Sequence, residues 1–244
     1  MAAMADVAST GRLSVSHDPR SNDNLHENAH NNPNDAANES AGARQGWLEI
    51  LHGGMTFDIT GLRPADALPV SRGENLFQMD QTWPTSSLAA LPITAGPHLA
   101  GTENTLPVVR ALLDLAAQLS EIEGCVGICW RPARSWMGRK YFQTIVNEWM
   151  KGGPFPSLGL VSLRPALDGA LQSEGLSFFL DRELRIAPEI AADRISATKV
   201  ASRLIDSLIE EGPIHEPLKF EGMSGERLRL DVSANQRYFT LARD

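Results

Sequence analysis

His26, Glu27 and His30 stand at the spacing H-E-x-x-H. On a helix, that spacing sets two imidazoles one turn apart on a zinc ion and leaves the glutamate as the general base of a metalloprotease. The surroundings argue against it. The flanking residues are Asn-rich, Pro33 follows closely, and no apolar face is present to dock the segment on a core. The string is therefore read as a chance match in a stretch rich in these residue types, and neither a metal site nor a cofactor is expected.

Other residues with chemical potential lie further along. Cys125 and Cys129 fall four residues apart in an apolar run, so on a strand they share a face about 13 Å apart, beyond disulfide reach. The residues around 125–150 contain no histidine to complete a zinc site. A nucleophilic cysteine would need a base, and only His98 and His215 are candidates. The two cysteines are read as small core residues. Arg131, Arg134, Arg139 and Lys140 bracket the start of a helix, where cationic side chains beside free amide groups could hold a phosphate or carboxylate. They form the best anion-site candidate in the chain, although the phosphate-loop pattern is not met. Gly222-Met-Ser-Gly225 lacks the final glycine of a nucleophile elbow and precedes a strand, so it reads as a hairpin loop. Asp181, Glu183 and Glu189 read as an ordinary polar edge. Trp83, in a Pro-rich loop, and Trp136, in a first helical turn, are candidate anchors for a protein partner.

These residues must be positioned by elements that the periodicity outlines. Residues 1–44 are rich in Asn, Asp, Ser and Ala, with few large apolar side chains, and are expected to be a disordered tail. A single domain is expected over 45–244. Trp47-Leu-Glu-Ile-Leu51 and Met55-Thr-Phe-Asp-Ile59 read as strands joined at Gly53-Gly54. A helix is predicted from about Thr105 to Glu123, with Pro107 in its first turn and Leu106, Val109, Leu112, Ala116, Leu119 and Ile122 on one stripe. Cys125 to Trp130 reads as a central strand. A second helix is predicted from Ser135, as its cap, to Met150 with Phe142, Ile145 and Trp149 inside. Leu158–Leu163 and Leu176–Leu180 read as strands, Ile195–Glu211 as a third helix, and 227–232 and 238–241 as closing strands. The fold class that follows is α+β, three main helices packed on a mixed or mainly antiparallel sheet.

Composition narrows the function. The 244 residues carry a formal charge of −8, against broad nucleic-acid binding and against adhesion to anionic membranes. No run of residues approaches a membrane helix in length. The opening residues lack the basic region and apolar core of a secretion signal. Two cysteines are too few for a disulfide-stapled secreted scaffold, and a cytoplasmic location is expected.

From about Met55 onward the chain resembles the bacterial domain-of-unknown-function family 4261. The features that carry the resemblance are the helix Leu106–Leu119, the strand Cys125–Trp130 ending in tryptophan, and the Ser135-led helix. Phe178 to Ile190, ending Pro188-Glu189-Ile190, and the third helix running into Glu211-Gly-Pro-Ile214 complete it. Where such proteins have a Gly-Leu pair, this chain has Glu183-Leu184. The resemblance implies an α+β domain of a bacterial protein and carries no catalytic residues across.

The expected function is a non-catalytic protein-interaction or regulatory domain with a protein partner. One alternative is an enzyme or small-ligand protein using the basic group at 131–140. Another is a secretion-system-associated or immunity-type protein. Oligomeric state is not readable from the sequence.

Overall fold

The computed structural model describes residues 14–17, 46–63, 66–70, 74–79, 85–222 and 225–244. The fold is α+β. Six α-helices and several sheets are present among these residues, so the three long helices do not share one sheet. The described residues up to 125, apart from 74–79, form one compact unit, and 74–79 together with 126–244 form a second. This is a finer division than one domain over 45–244.

In the first unit, β1 (Ser14–His17), β2 (Leu48–His52), β3 (Met55–Ile59) and β7 (Ile93–Ala95) make an antiparallel sheet in that order. A short pair, β4 (Leu68–Pro69) and β6 (Ala89–Ala90), lies apart from it. Gly53 and Gly54 both have positive φ, 60° and 78°, which a two-residue hairpin turn with the twist of its strands requires. Strict alternation sends Leu48, Ile50, Phe57 and Ile59 to the buried face and Glu49, Thr56 and Asp58 to the other. Helix α1 (Leu106–Leu119) covers the buried face, with Val108, Leu115 and Leu119 packed among Ile50, Phe57 and Ile59. Val109, Leu113 and Ala117 are buried as well, so α1 is apolar over more than the single stripe read from its sequence. Strand β1 falls inside the segment expected to be a tail and joins β2 by backbone pairing, Ser14 opposite Leu51. Such edge addition asks little of side chains. The rest of 1–44, including His26, Glu27 and His30, lies outside the described residues.

The second unit holds a mixed six-stranded sheet, ordered β10 (Ser162–Pro165), β11 (Leu171–Glu174), β12 (Glu183–Ile186), β15 (Tyr238–Arg243), β14 (Arg227–Val232) and β13 (Leu218–Glu221). Only β12 and β15 run parallel. Leu184, Ile186, Leu228, Leu230, Phe239 and Leu241 point to the core at every second position. Helix α6 (Arg194–Glu211) packs on β12, with Asp193 capping it by accepting from the amides of Ile195 and Ser196. A three-stranded sheet, β5 (Asn75–Phe77), β9 (Ser135–Gly138) and β8 (Gly127–Trp130), carries helix α2 (Arg139–Met150).

Several expectations are corrected here. Ser135 does not cap a helix. It is buried in β9, where its hydroxyl donates to the Gly159 carbonyl at 2.6 Å, and α2 begins at Arg139 after Gly138. A Cβ on Gly138 would sit 2.1 Å from the Gln78 carbonyl oxygen, so the crossing of β9 past that segment demands glycine. Val146, rather than Ile145, joins Phe142 and Trp149 in the core. The run read as a strand at 158–163 opens with a helical turn, α3 (Ser157–Leu160), that starts from Pro156. Ser177–Leu180 is likewise a helical turn, α4, and a further turn, α5 (Pro188–Ala191), precedes α6. Strand β8 starts at Gly127 and is an edge strand of its sheet, not a central one. Cys125 therefore precedes the strand half-buried, and Cys129 is exposed on it, so neither is a buried core residue.

Candidate functional site

The basic group at 131–140 is held apart by its own strand. Residues 131–133 make a 3-10 turn, and Arg134 closes it in the left-handed conformation with φ 47°. Four residues of extended β9, about 13 Å, then separate Arg134 from Arg139. Arg131 and Lys140 are exposed and Arg139 half-buried. Arg134 is already engaged: Nη1 meets Glu74 Oε1 at 2.9 Å and Nε meets Glu174 Oε1 at 2.6 Å. Arg164 reaches the other oxygens of the same two carboxylates, Glu74 Oε2 through Nη1 and Glu174 Oε2 through Nε at 2.8 Å. The hydrogen bond to Glu174 is the first reason that the Arg134 guanidinium titrates above its ordinary value. Two arginines and two glutamates thus close a ring of zero net charge. It binds the segment 74–75 to the rest of the second unit, helped by the Asn75 side chain on the Ala133 carbonyl. It is a cross-link and does not offer a cationic site. Trp136 is 8% exposed in β9, so it cannot serve as a partner anchor in this conformation, and Trp83 lies outside the described residues.

Two histidine clusters stand in the first unit. The Thr56 amide donates to His98 Nε2 at 3.5 Å, and His98 Nδ1 lies 3.1 Å from the Thr56 hydroxyl. That hydroxyl in turn donates to Glu49 at 3.3 Å. These contacts hold the turn Pro97–Leu99 against β3. Gly96 permits the approach, since a Cβ there would lie 2.5 Å from the Thr56 oxygen. Beside them, burial first and Glu49 second raise the Asp58 carboxyl, against the pull of His98. In the second cluster His52 Nε2 lies 2.8 Å from Asp114 Oδ2, which also accepts from Gln118 at 2.9 Å. An oriented His–Asp pair is two thirds of a hydrolytic triad. Its third place is not filled among the described residues, because His52 Nδ1 is buried with no hydrogen-bond partner. Nor do these residues gather three or more His, Cys, Asp or Glu side chains that could hold a metal ion.

Of the three carboxylates, Asp181 closes α4 in the left-handed conformation and Glu189 lies in the first turn of α5. Glu183 has a structural role. Its oxygens accept from the hydroxyls of Ser173 and Ser177 at 2.5 and 2.7 Å, and from the amides of Gly175, Leu176 and Ser177 at 2.9, 3.2 and 3.1 Å. Three successive amides converging on one carboxylate form an anion nest, and they turn 177–180 into a helical turn.

One concavity gathers residues of a different kind. A hollow of about 440 Å³, open to solvent, is lined by Arg182, Ile214, His215, Val232, Ser233, Ala234 and Gln236. Gly212, at φ 90°, ends α6 and brings Ile214 and His215 alongside, and Gln236, at φ 56°, turns β14 back into β15. Asn235 stiffens that turn by accepting from the Ser233 hydroxyl and the Arg237 amide at 2.8 and 3.1 Å. The Arg182 guanidinium lies over the Phe239 ring, 5.7 Å from its centroid, and one Nη reaches Gln236 Oε1 at 3.5 Å. His215 was a candidate from the sequence, while Arg182 and Gln236 were not. No family model matches the chain, and no curated protein or solved structure matches it.

Proposed function

We propose that this chain is a non-catalytic protein-interaction domain. The observation that carries this reading is Leu167. It stands fully exposed at the tip of the β10–β11 hairpin. Single exposed apolar residues are common on protein surfaces. Leu167 differs in being presented by a stiff turn. The Ala166 amide bonds back to the Ala170 carbonyl at 2.8 Å, Gly169 to Ala166 at 3.0 Å, and Asp168 accepts from the Ala170 amide at 3.2 Å while pairing with Arg185. A leucine held in one place by its backbone loses little freedom on docking, and burying it in a partner's apolar pocket is worth about 2 kcal/mol. The ordered ring of Arg134, Arg164, Glu74 and Glu174 and the Glu183 nest support the same reading, since they use charged groups to fix shape.

The reading takes the chain as cytoplasmic, which fits two cysteines that form no disulfide with each other, and as bacterial on the strength of the resemblance to family 4261. No helix among the described residues is long and apolar enough to cross a membrane. The test is affinity capture from the encoding cell with wild-type and Leu167→Asp protein, quantified by mass spectrometry. A stoichiometric partner that the wild type retains and the variant loses at least tenfold is the expected result. Equal retention by both, or repeated recovery of no partner, would overturn the proposal.

A further inference from the structure

We propose that the hollow between the α6–β13 connection and the β14–β15 turn binds a small organic anion through the Arg182 guanidinium. This goes beyond the interaction reading and does not depend on it.

Three observations converge. First, Arg182 has no carboxylate partner among the described residues, whereas Arg134, Arg164, Arg185 and Arg229 are all ion-paired. Its contacts are the Phe239 ring and the long bond to Gln236, and its Nε is buried with no hydrogen-bond partner. A guanidinium that lies over a fully buried aromatic ring and lacks a carboxylate partner is the kind of group that takes a carboxylate or phosphate by charge-assisted hydrogen bonds. Second, the other polar groups around the hollow are His215, Gln236 and the Ser233 hydroxyl, the last already donating to Asn235, and no carboxylate lines it. On a protein of net charge −8, a cationic concavity without acidic lining stands out as the place where a small anion is not repelled. Third, Ile214, Val232 and Ala234 supply an apolar wall on one side of this solvent-open hollow of about 440 Å³. Polar head at Arg182, apolar body against Ile214 and Val232: that division of labour selects an oxyanion carried on a short hydrocarbon over inorganic phosphate.

The experiment is titration calorimetry on the full chain with acetate, hexanoate and inorganic phosphate, at low ionic strength. Hexanoate is expected to bind at least about tenfold more tightly than acetate, because its added methylenes are buried. Arg182→Gln is expected to lose at least tenfold of hexanoate affinity with an unchanged thermal midpoint. Arg185→Gln, whose side chain pairs with Asp168 away from the hollow, is expected to bind as the wild type does. The inference is overturned if the wild type binds none of the three, if hexanoate binds no better than acetate, or if Arg182→Gln and Arg185→Gln lose affinity equally. Should Arg182→Gln not fold, His215→Ala on an exposed residue serves in its place, with an expected loss of at least threefold and no loss counting against the site.

Discussion

Arg134 and Arg182 arise in the same local setting. Each comes at the end of a single helical turn closed by a left-handed residue, Arg134 itself in one case and Asp181 in the other, and each leads directly into a strand. What lies opposite differs. Arg134 faces Glu74 and Glu174, which Arg164 also holds, and the four charges cancel. Arg182 faces the ring of Phe239 and a hollow. The lesson is that a cation becomes a binding group through what the fold withholds from it. Closed charges should matter to stability, and open charges should matter to ligands or to pH.

The comparison is broken most directly at Glu183, a carboxylate closed by two hydroxyls and three amides. Glu183→Ala strips an acceptor from two hydroxyls and three amides, at about 1 kcal/mol or more for each donor that water cannot reach. A loss of about 3 kcal/mol in urea denaturation is expected, and a loss below about 1 kcal/mol would show that the nest is ornamental. The ring is tested by a double-mutant cycle on Arg164→Met and Glu174→Gln, two side chains that are each 27% exposed. A coupling of about 1.5 kcal/mol is expected at low salt, falling by half or more in 1 M sodium chloride, where charges are screened within about 3 Å. A coupling that salt leaves unchanged would mean that packing, and not charge, links the pair.

How much of this was legible follows from length and sequence separation. Strands β2 and β3 announce themselves because alternation over five residues is joined to a turn of two glycines. Helices α1 and α6, of 14 and 18 residues, are long enough for a helical period to show. The apolar runs at 158–163 and 176–180 are too short to carry a period. Pro156 decides the first, and the second is decided by Glu183, which caps it from the following strand. Ser135 was misread because a serine before a helical pattern is also what a buried strand with one hydrogen-bonded hydroxyl looks like. The ring and the hollow were not readable at all. Arg134 and Glu74 are 60 residues apart, Arg182 and Gln236 are 54 apart, and the second pair meets only because β12 and β15 run parallel as neighbours.

Asp206, on α6, is the acidic counterpart of Arg182, an open carboxyl. Its Oδ1 is buried without a hydrogen-bond partner, and desolvation first, with Glu210 one turn away second, pushes its pKa up to about 6 from 3.8. The folded chain therefore holds this proton more tightly than the unfolded chain does. Stability from the protonated form is fully present below pH 3.8 and is lost as pH rises to about 6. Water reaches part of the carboxyl, so the loss is set at about 1 kcal/mol rather than the larger value that the whole shift would imply. Asp206→Asn keeps the shape and removes the titration. It should match the wild type near pH 4, exceed it by about 1 kcal/mol at pH 7, and flatten the wild-type decline between them. Urea midpoints across that range check this, and parallel profiles for the two proteins would mean that Asp206 is solvated and that an open charge in this fold need not be a strained one.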